Sequence, residues 1–437
     1  LSKTRQSTGQ IYFQKRHHLD QKLHQHSENK QTNLLMSMES FMQDFDAITT
    51  LALASLVLII GHALKQHIPF FSRYNLPSPV IGGLLAALVM WYGKQHGWSI
   101  QLNTSMRTPL MIAFFTTLGF AASLKLLKIG GRYVMIFLGI SIIAAILQNV
   151  VGASAAVLMG LPPLFGVLCG SVTLTGGPAT GLAFAPQFEA AGIVGAESIA
   201  IMAAMCGIIM GGIMGGPIGT LLMRHLQKNQ QPLTTNHRQT NMTSDLLSPS
   251  SGEGHLLKHV GVILVAMWLG SFVSATFTQW GVTLPAYIGA MLVAAVLRNI
   301  DDNTRFLQLS ENGLENLGHV ALSYFLVLSL MGLDLSKLAS VALPLLVLIA
   351  LQVLLIGLLS VTLIFKYMGK DYEAAVTATG FYGFMMGTTA NAMANMDAFV
   401  KRYSPAPRAY LVVPIVGAFF IDFANTLLVQ FCLNWLK

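Results

Sequence analysis

The chain has 437 residues, 54% of them hydrophobic and only 10% charged, with a formal net charge of +8. Soluble domains carry about a quarter charged residues. This chain therefore lacks the polar surface to face water, and its mean hydropathy of +0.61 makes lipid its solvent. That composition excludes a cytosolic enzyme, a nucleic-acid binder and a disulfide-stapled secreted domain. Cys169, Cys206 and Cys432 lie in apolar runs with no CxxC or His-rich neighbour, so they read as small packing residues.

Residues 1–37 differ from the rest: Lys3, Arg5, Lys15, Arg16, Lys22 and Lys30 stand against Asp20 and Glu28 among many Gln, Asn and His. With no apolar core of its own, this stretch is expected to be disordered. It is too polar for a signal peptide, and the expectation is that translation starts at Met38 or Met36.

A span needs roughly 20 apolar residues. In chain order the candidates are 48–64, 78–93, 108–124, 133–159, 196–223, 258–279, 284–297, 314–332, 340–365 and 408–435. Ten spans result, in two groups of five (residues 38–223 and 258–437) joined by a polar linker, 224–257. Two further segments, 163–186 and 373–396, are apolar but crowded with Gly, Thr, Ala and Pro or Asn. They read as re-entrant hairpins, because broken backbone at membrane depth survives only where protein or a water-filled cavity satisfies it. With both termini outside, sixteen Lys and Arg from residue 38 onward fall in inside loops and four in outside loops. Basic loops stay cytoplasmic, so this orientation is favoured.

The two groups repeat one another. Gly170, Gly177 and Gly207 recur as Gly380, Gly387 and Gly417, each 210 residues on; Gly82 meets Gly289, Gly119 meets Gly332, and Gln148 meets Gln352 at similar offsets. An odd number of spans forces the second copy to enter the membrane upside down. The expected fold is thus an all-α polytopic membrane protein of two inverted-topology repeats, each with five transmembrane helices and a re-entrant hairpin. Inverted repeats with broken elements meeting near the midplane mark secondary transporters.

The hairpins carry the candidate substrate site: Thr173, Thr175, Gly176, Gly177 and Thr180 in the first, and Gly387, Thr388, Thr389 and Asn391 in the second. Glycine lets backbone approach a ligand, and half-helix N-termini offer N–H groups to anions. Small-residue helix packing enriches the same residue types, but polar tips at equivalent places in both copies favour a site. Asp422 is the one acidic side chain deep in a span, and Asn425 follows it on the same helix face. A carboxylate inside the membrane is costly unless it is paired or lines a cavity. Asp422 and Asn425, with Asn395, are therefore candidate ligands for Na+ or a substrate ammonium. Gln148 and Gln352 are read as helix–helix contacts or ligands alike. There is no GxxxxGK[ST], HExxH or GxSxG, so the motifs point to no enzyme and to no ATP-driven pump. An ion gradient must supply the energy.

From about residue 45 to 436 the sequence resembles the bacterial sodium/glutamate symporters. The likeness rests on Thr108–Met111, Gln148-Asn149, Gly170-Ser171 through Gly177, Met368–Tyr372, Ala392–Met396 and, most specifically, Val413–Asp422. It implies an inner-membrane, multi-pass carrier with periplasmic termini that imports L-glutamate with Na+ by alternating access. Na+ is then the coupling ion and no organic cofactor is used; the bilayer, glutamate and Na+ are the partners, nucleic acid is not, and a homodimer stays open. Two departures stand out. The family's first loop usually reads Gly-Gly-His-Gly-Thr, where this chain has Gly176-Gly177-Pro178-Ala179-Thr180. Its second loop often has Thr-Pro after the glycine, where this chain has Thr388-Thr389. A Na+ symporter of another organic carboxylate is the alternative, and a passive channel a more remote one.

Overall fold

A computed structural model describes residues 42–96, 99–129, 131–228, 253–280, 284–333, 342–401 and 403–436. The expectations for residues 1–37 and for most of the linker lie outside the described residues. The elements in chain order are β1 (Met42–Phe45), α1 (Ala47–His67), α2 (Ser78–Gln95), β2 (Ser99–Leu102), α3 (Arg107–Ala121), α4 (Gly131–Leu158), α5 (Pro163–Val167), α6 (Gly177–Ala190), α7 (Ala196–Lys228) and α8 (Glu253–Gln279). They continue with α9 (Ala286–Thr304), α10 (Glu311–Met331), α11 (Ala342–Leu359), α12 (Tyr372–Met385), α13 (Thr389–Val400), α14 (Pro407–Ile415) and α15 (Ile421–Trp435). Each of the ten expected spans has a helix. Six of these, among the described residues, are long and apolar enough to cross a membrane by themselves. Of the others, α2 and α9 are long enough but less apolar, α3 is short, and α14 and α15 are joined by a π-helical turn, Val416–Phe420. This is a multi-pass membrane protein.

The strand pair was not foreseen. β1 and β2 run parallel, Met42 opposite Ser99 and Phe45 opposite Leu102, and four residues carry too little alternation to be legible. The helix starts follow local chemistry. Asp46 accepts the Thr49 N–H at 2.8 Å to open α1, Ser310 accepts the Gly313 N–H at 3.1 Å to open α10, and Asp371 accepts the Ala374 N–H at 2.8 Å to open α12. Pro163 and Pro407 stand at the first position of their helices, where a missing N–H costs nothing. Helix α9 runs seven residues past the expected span. Its polar end is satisfied internally: Asp301 accepts N–H groups from Leu307, Gln308 and Leu309, and Arg298 pairs with Asp302 and Glu311.

The helices sort into two packed groups. Helices α1, α2 and α3 pack with α8, α9 and α10; helices α4 to α7 pack with α11 to α15. The first group has its own small cores, one of Phe120, Ile263, Ala294 and Leu314, another of Ala54, Val327, Leu328 and Met331. The second holds most of the main core, including Phe137, Phe184, Phe381 and Phe384. Contacts recur in pairs: α1 on α2 as α8 on α9, and α2 on α10 as α9 on α3. Glycines permit the crossings. A Cβ on Gly82 would stand 2.2 Å from the Val57 carbonyl oxygen, and one on Gly289 2.3 Å from that of Gly270. Large side chains such as Ile59, Val89, Leu264, Trp268 and Leu354 point outward and exposed. In water that apolar surface would be a liability; in a bilayer it is the expected exterior.

Both suspected hairpins are helix–break–helix units. In the first, α5 runs into a π-helical turn, Leu168–Val172, where Gly170 leaves helical geometry at φ −99°, ψ −130°, and α6 begins at Gly177. In the second, α12 ends at Met385 and α13 begins at Thr389. Their second legs reach Ala190 and Val400, a few residues beyond the expected limits.

Candidate functional site

The two breaks meet. Gly177 has φ +67°, and a Cβ built on it would lie 3.8 Å from the Gly387 carbonyl oxygen. That backbone is strained for any residue but glycine, whereas the space beside it would admit a Cβ in ordinary contact. From this junction α6 and α13, of 14 and 12 residues, lead away with their N-termini at the breaks. Gly207 on α7 touches both sides: a Cβ there would be 2.6 Å from Leu174 Cδ2 and 2.6 Å from the Met386 carbonyl oxygen. Gly417, 210 residues on in the sequence, lies against the second break, where Thr389 Oγ1 donates to the Gly417 carbonyl at 2.6 Å.

Gln148 on α4 is the hub. Its Nε2 donates to the Met385 carbonyl at 3.0 Å, and its Oε1 accepts from Thr175 Oγ1 at 2.6 Å. One amide therefore ties the end of α12 to the tip of the first break. Gln352 on α11 donates Nε2–H to the Gln148 carbonyl at 2.8 Å. Both glutamines are fully buried. In hydrocarbon such bonds carry more weight than in water, because the alternative is an unsatisfied polar group.

The other expected site residues divide. Thr173 donates Oγ1–H to the Leu168 carbonyl at 2.8 Å, bracing the π-helical turn. Thr180 is buried one turn into α6, behind Gly176. Thr388 caps α13, its Oγ1 accepting the Asn391 N–H at 3.4 Å. Asn391 donates Nδ2–H to the Ile208 carbonyl at 2.6 Å, and Asn395 to that of Gly211 at 2.9 Å, so both bind the second hairpin to α7. Asn395 also lines a cavity of about 270 Å³ with Gly212, Thr220 and Tyr403, away from Asp422 and Asn425. Asn425 joins the first break, donating Nδ2–H to the Ser171 carbonyl at 2.9 Å. Asp422, half-buried one turn earlier, has a carboxylate with no hydrogen bond or ion pair among the described residues.

Sequence reasoning passed over Asn149 and Ser171 as site residues. Asn149 Oδ1 accepts the Ser171 N–H at 3.0 Å, fastening the break to α4. The available signal was the pair of adjacent amides, Gln148-Asn149, inside an apolar span. Among the described residues no group of three or more His, Cys, Asp or Glu could hold a metal. The arrangement instead offers glycine backbone, amides, hydroxyls and one carboxylate, the chemistry of reversible binding to a small charged organic solute.

Comparison with known proteins agrees. The profile of the Sodium/glutamate symporter family matches residues 43–405. The chain is 37% identical to the sodium/glutamate symporter of Escherichia coli (strain K12) over 396 residues, 89% of this chain and 98% of that protein. It is 35% identical over 393 residues to the sodium/glutamate symporter of Haemophilus influenzae, covering 88% of this chain and 96% of that one. With the profile spanning most of its length and both relatives covered almost end to end, the chain belongs to the sodium/glutamate symporter family.

Proposed function

We propose that this protein imports L-glutamate by Na+ symport across a bacterial inner membrane, working by alternating access. The observation that carries the reading is the convergence of both breaks on Gln148, with two helix N-termini opening at the junction. Glutamate has two carboxylates and one ammonium. The N-termini of α6 and α13 offer N–H groups and positive dipole ends to the carboxylates. Thr175, Gly176, Gly177, Gly387, Thr388 and Thr389 form the tips that close on them, with Thr173, Thr180 and Asn391 holding those tips in shape. Asp422 and Asn425 serve the cations, Na+ or the substrate ammonium; Asn395, in its separate cavity, is a second amide oxygen for an ion.

The same reading has residues 38–223 and 258–437 as inverted repeats, each with a re-entrant hairpin, the termini periplasmic and the linker cytoplasmic. The paired contacts support it: exchanging α1–α3 for α8–α10 carries α1 on α2 onto α8 on α9, α2 on α10 onto α9 on α3, and α1 on α10 onto α8 on α3. Rigid-body movement of the hairpin-bearing group against the other then exposes the site to each side in turn, as in other carriers built from repeats.

A related carboxylate is the second reading, favoured by Pro178 in the first tip. Pro178 occupies the second position of α6, so one N–H that could have met a carboxylate is missing. A panel of unlabelled carboxylates competing against labelled glutamate separates the two. Strongest competition by L-glutamate itself is expected. Stronger competition by a dicarboxylate lacking the ammonium group would replace glutamate as the substrate and leave the transport mechanism standing.

A further inference from the structure

Two buried oxygens beside the first break have no hydrogen-bond partner among the described residues: Ser171 Oγ and Asn425 Oδ1. Ser171 is fully buried and Asn425 is 1% exposed. The orientation of the Asn425 amide is determined by its neighbour. The Ser171 carbonyl, 2.9 Å from Nδ2, can only accept, so the amide nitrogen faces it and Oδ1 is turned away. Asn149 cannot serve that oxygen. Its own Oδ1 takes the Ser171 N–H and its Nδ2 faces Cys432 Sγ at 3.8 Å. Three other buried serines bond back to the preceding turn: Ser141 to the Phe137 carbonyl at 2.8 Å, Ser329 to the Phe325 carbonyl at 2.8 Å and Ser360 to the Ile356 carbonyl at 2.7 Å. Ser171 does not, because it follows the non-helical Gly170 inside the π-helical turn.

Two unpaired oxygens, on residues joined by one hydrogen bond next to unwound backbone, match the demands of a hard cation, which takes oxygen ligands. Both are neutral, and the nearest acid on the same helix face is the single Asp422. So little negative charge suits a monovalent ion better than a divalent one. Unwound carbonyls complete Na+ coordination in carriers with broken helices. We propose that Ser171 Oγ and Asn425 Oδ1 are ligands of a Na+ centre at the break of the first hairpin, completed by backbone carbonyls of that break. The inference deepens the symport reading and rests on it. It also gives Na+ a route to the substrate, because Ser171 stands two residues before Thr173 at the start of the tip, and an ion there orders the backbone that glutamate meets.

Ser171→Ala tests this cleanly, since it deletes an atom with no hydrogen-bond partner among the described residues. Two measurements are made: uptake into proteoliposomes against Na+ concentration at saturating glutamate, and melting of the detergent-solubilised protein in NaCl against KCl without glutamate. The variant is expected to need at least tenfold more Na+ for half-maximal uptake, to lose the stabilisation by NaCl, and to melt like the wild type in KCl. If Ser171→Ala does not fold, Ser171→Cys replaces the hard oxygen by sulfur at nearly constant shape and should give the same shift. Na+-activated wild type with a half-saturating concentration within twofold in the variant would overturn the centre alone, and would leave a buried water as the occupant. A wild type that accumulates glutamate without Na+ would overturn the symport reading, and the centre with it.

Discussion

Asp422 has the most to lose from its position. A carboxylate within a span costs several kcal/mol unless something compensates it, and no described side chain does. Its retention makes sense if the compensation comes from a cation that arrives and leaves. Asp422→Ala should therefore reduce uptake about 100-fold or more, which is about 3 kcal/mol of lost function. Membrane insertion and melting temperature should stay the same or rise. Fluorescence-detected size exclusion and labelled uptake on one preparation check this; near-normal uptake would remove Asp422 from the site. At this scale the sequence was legible where a residue was out of place. An acid, a glutamine or an asparagine in an apolar run announces itself. Ser171 did not, because a serine among small residues looks like packing until its hydroxyl is seen without an acceptor. Thr173 and Asn391 were picked by the same polarity rule, yet in the structure they bond to backbone and shape the tips.

The elements depend on glycines where helices cross as well as where they break. At Gly289 a Cβ would meet the Gly270 carbonyl oxygen at 2.3 Å and Ser274 Oγ at 2.3 Å. Gly289→Val should force α8 and α9 apart and destabilise the fold by about 1–3 kcal/mol, the usual range for overpacking. A lower melting temperature, with half-saturating glutamate unchanged in whatever protein survives, is the expected result; an unchanged melting temperature would mean that the crossing is looser than described. The repeat offset had pointed to this position, pairing Gly82 with Gly289, and both prove to be crossing points. Helix ends were less legible. The polar turn of α9 from Arg298 to Thr304 continues as helix because its charges are satisfied among themselves and by the loop that follows. Hydropathy alone stops counting at the first charge. The π-helical turns were invisible for a related reason: a one-residue bulge leaves an apolar run unchanged in composition.

Across the whole molecule, the division into two packed groups was not read from the sequence, because which spans pack together depends on contacts far apart in the chain. The glycine repeat suggested two halves in sequence, whereas packing mixes them, drawing α1–α3 and α8–α10 into one group. Few polar contacts join the groups. Arg107 on α3 pairs with Glu197 on α7, and Gln187 Nε2 donates to Tyr287 OH at 2.9 Å from α6 to α9. Alternating access by rigid-body movement requires those contacts to break in each cycle. Cysteines at positions 107 and 197 joined by a short thiol-reactive cross-linker should stop uptake, with activity kept in the same double variant before cross-linking. Full activity after cross-linking would mean that the groups do not move apart at that end.

A symporter of this kind uses the Na+ gradient to drive glutamate uphill. Purified protein in proteoliposomes, given labelled L-glutamate with and without an inward Na+ gradient, tests it most directly. Accumulation above the external concentration only with the gradient is the predicted result. Equilibration without accumulation, whatever the Na+ gradient, would contradict it and leave a passive pathway in its place.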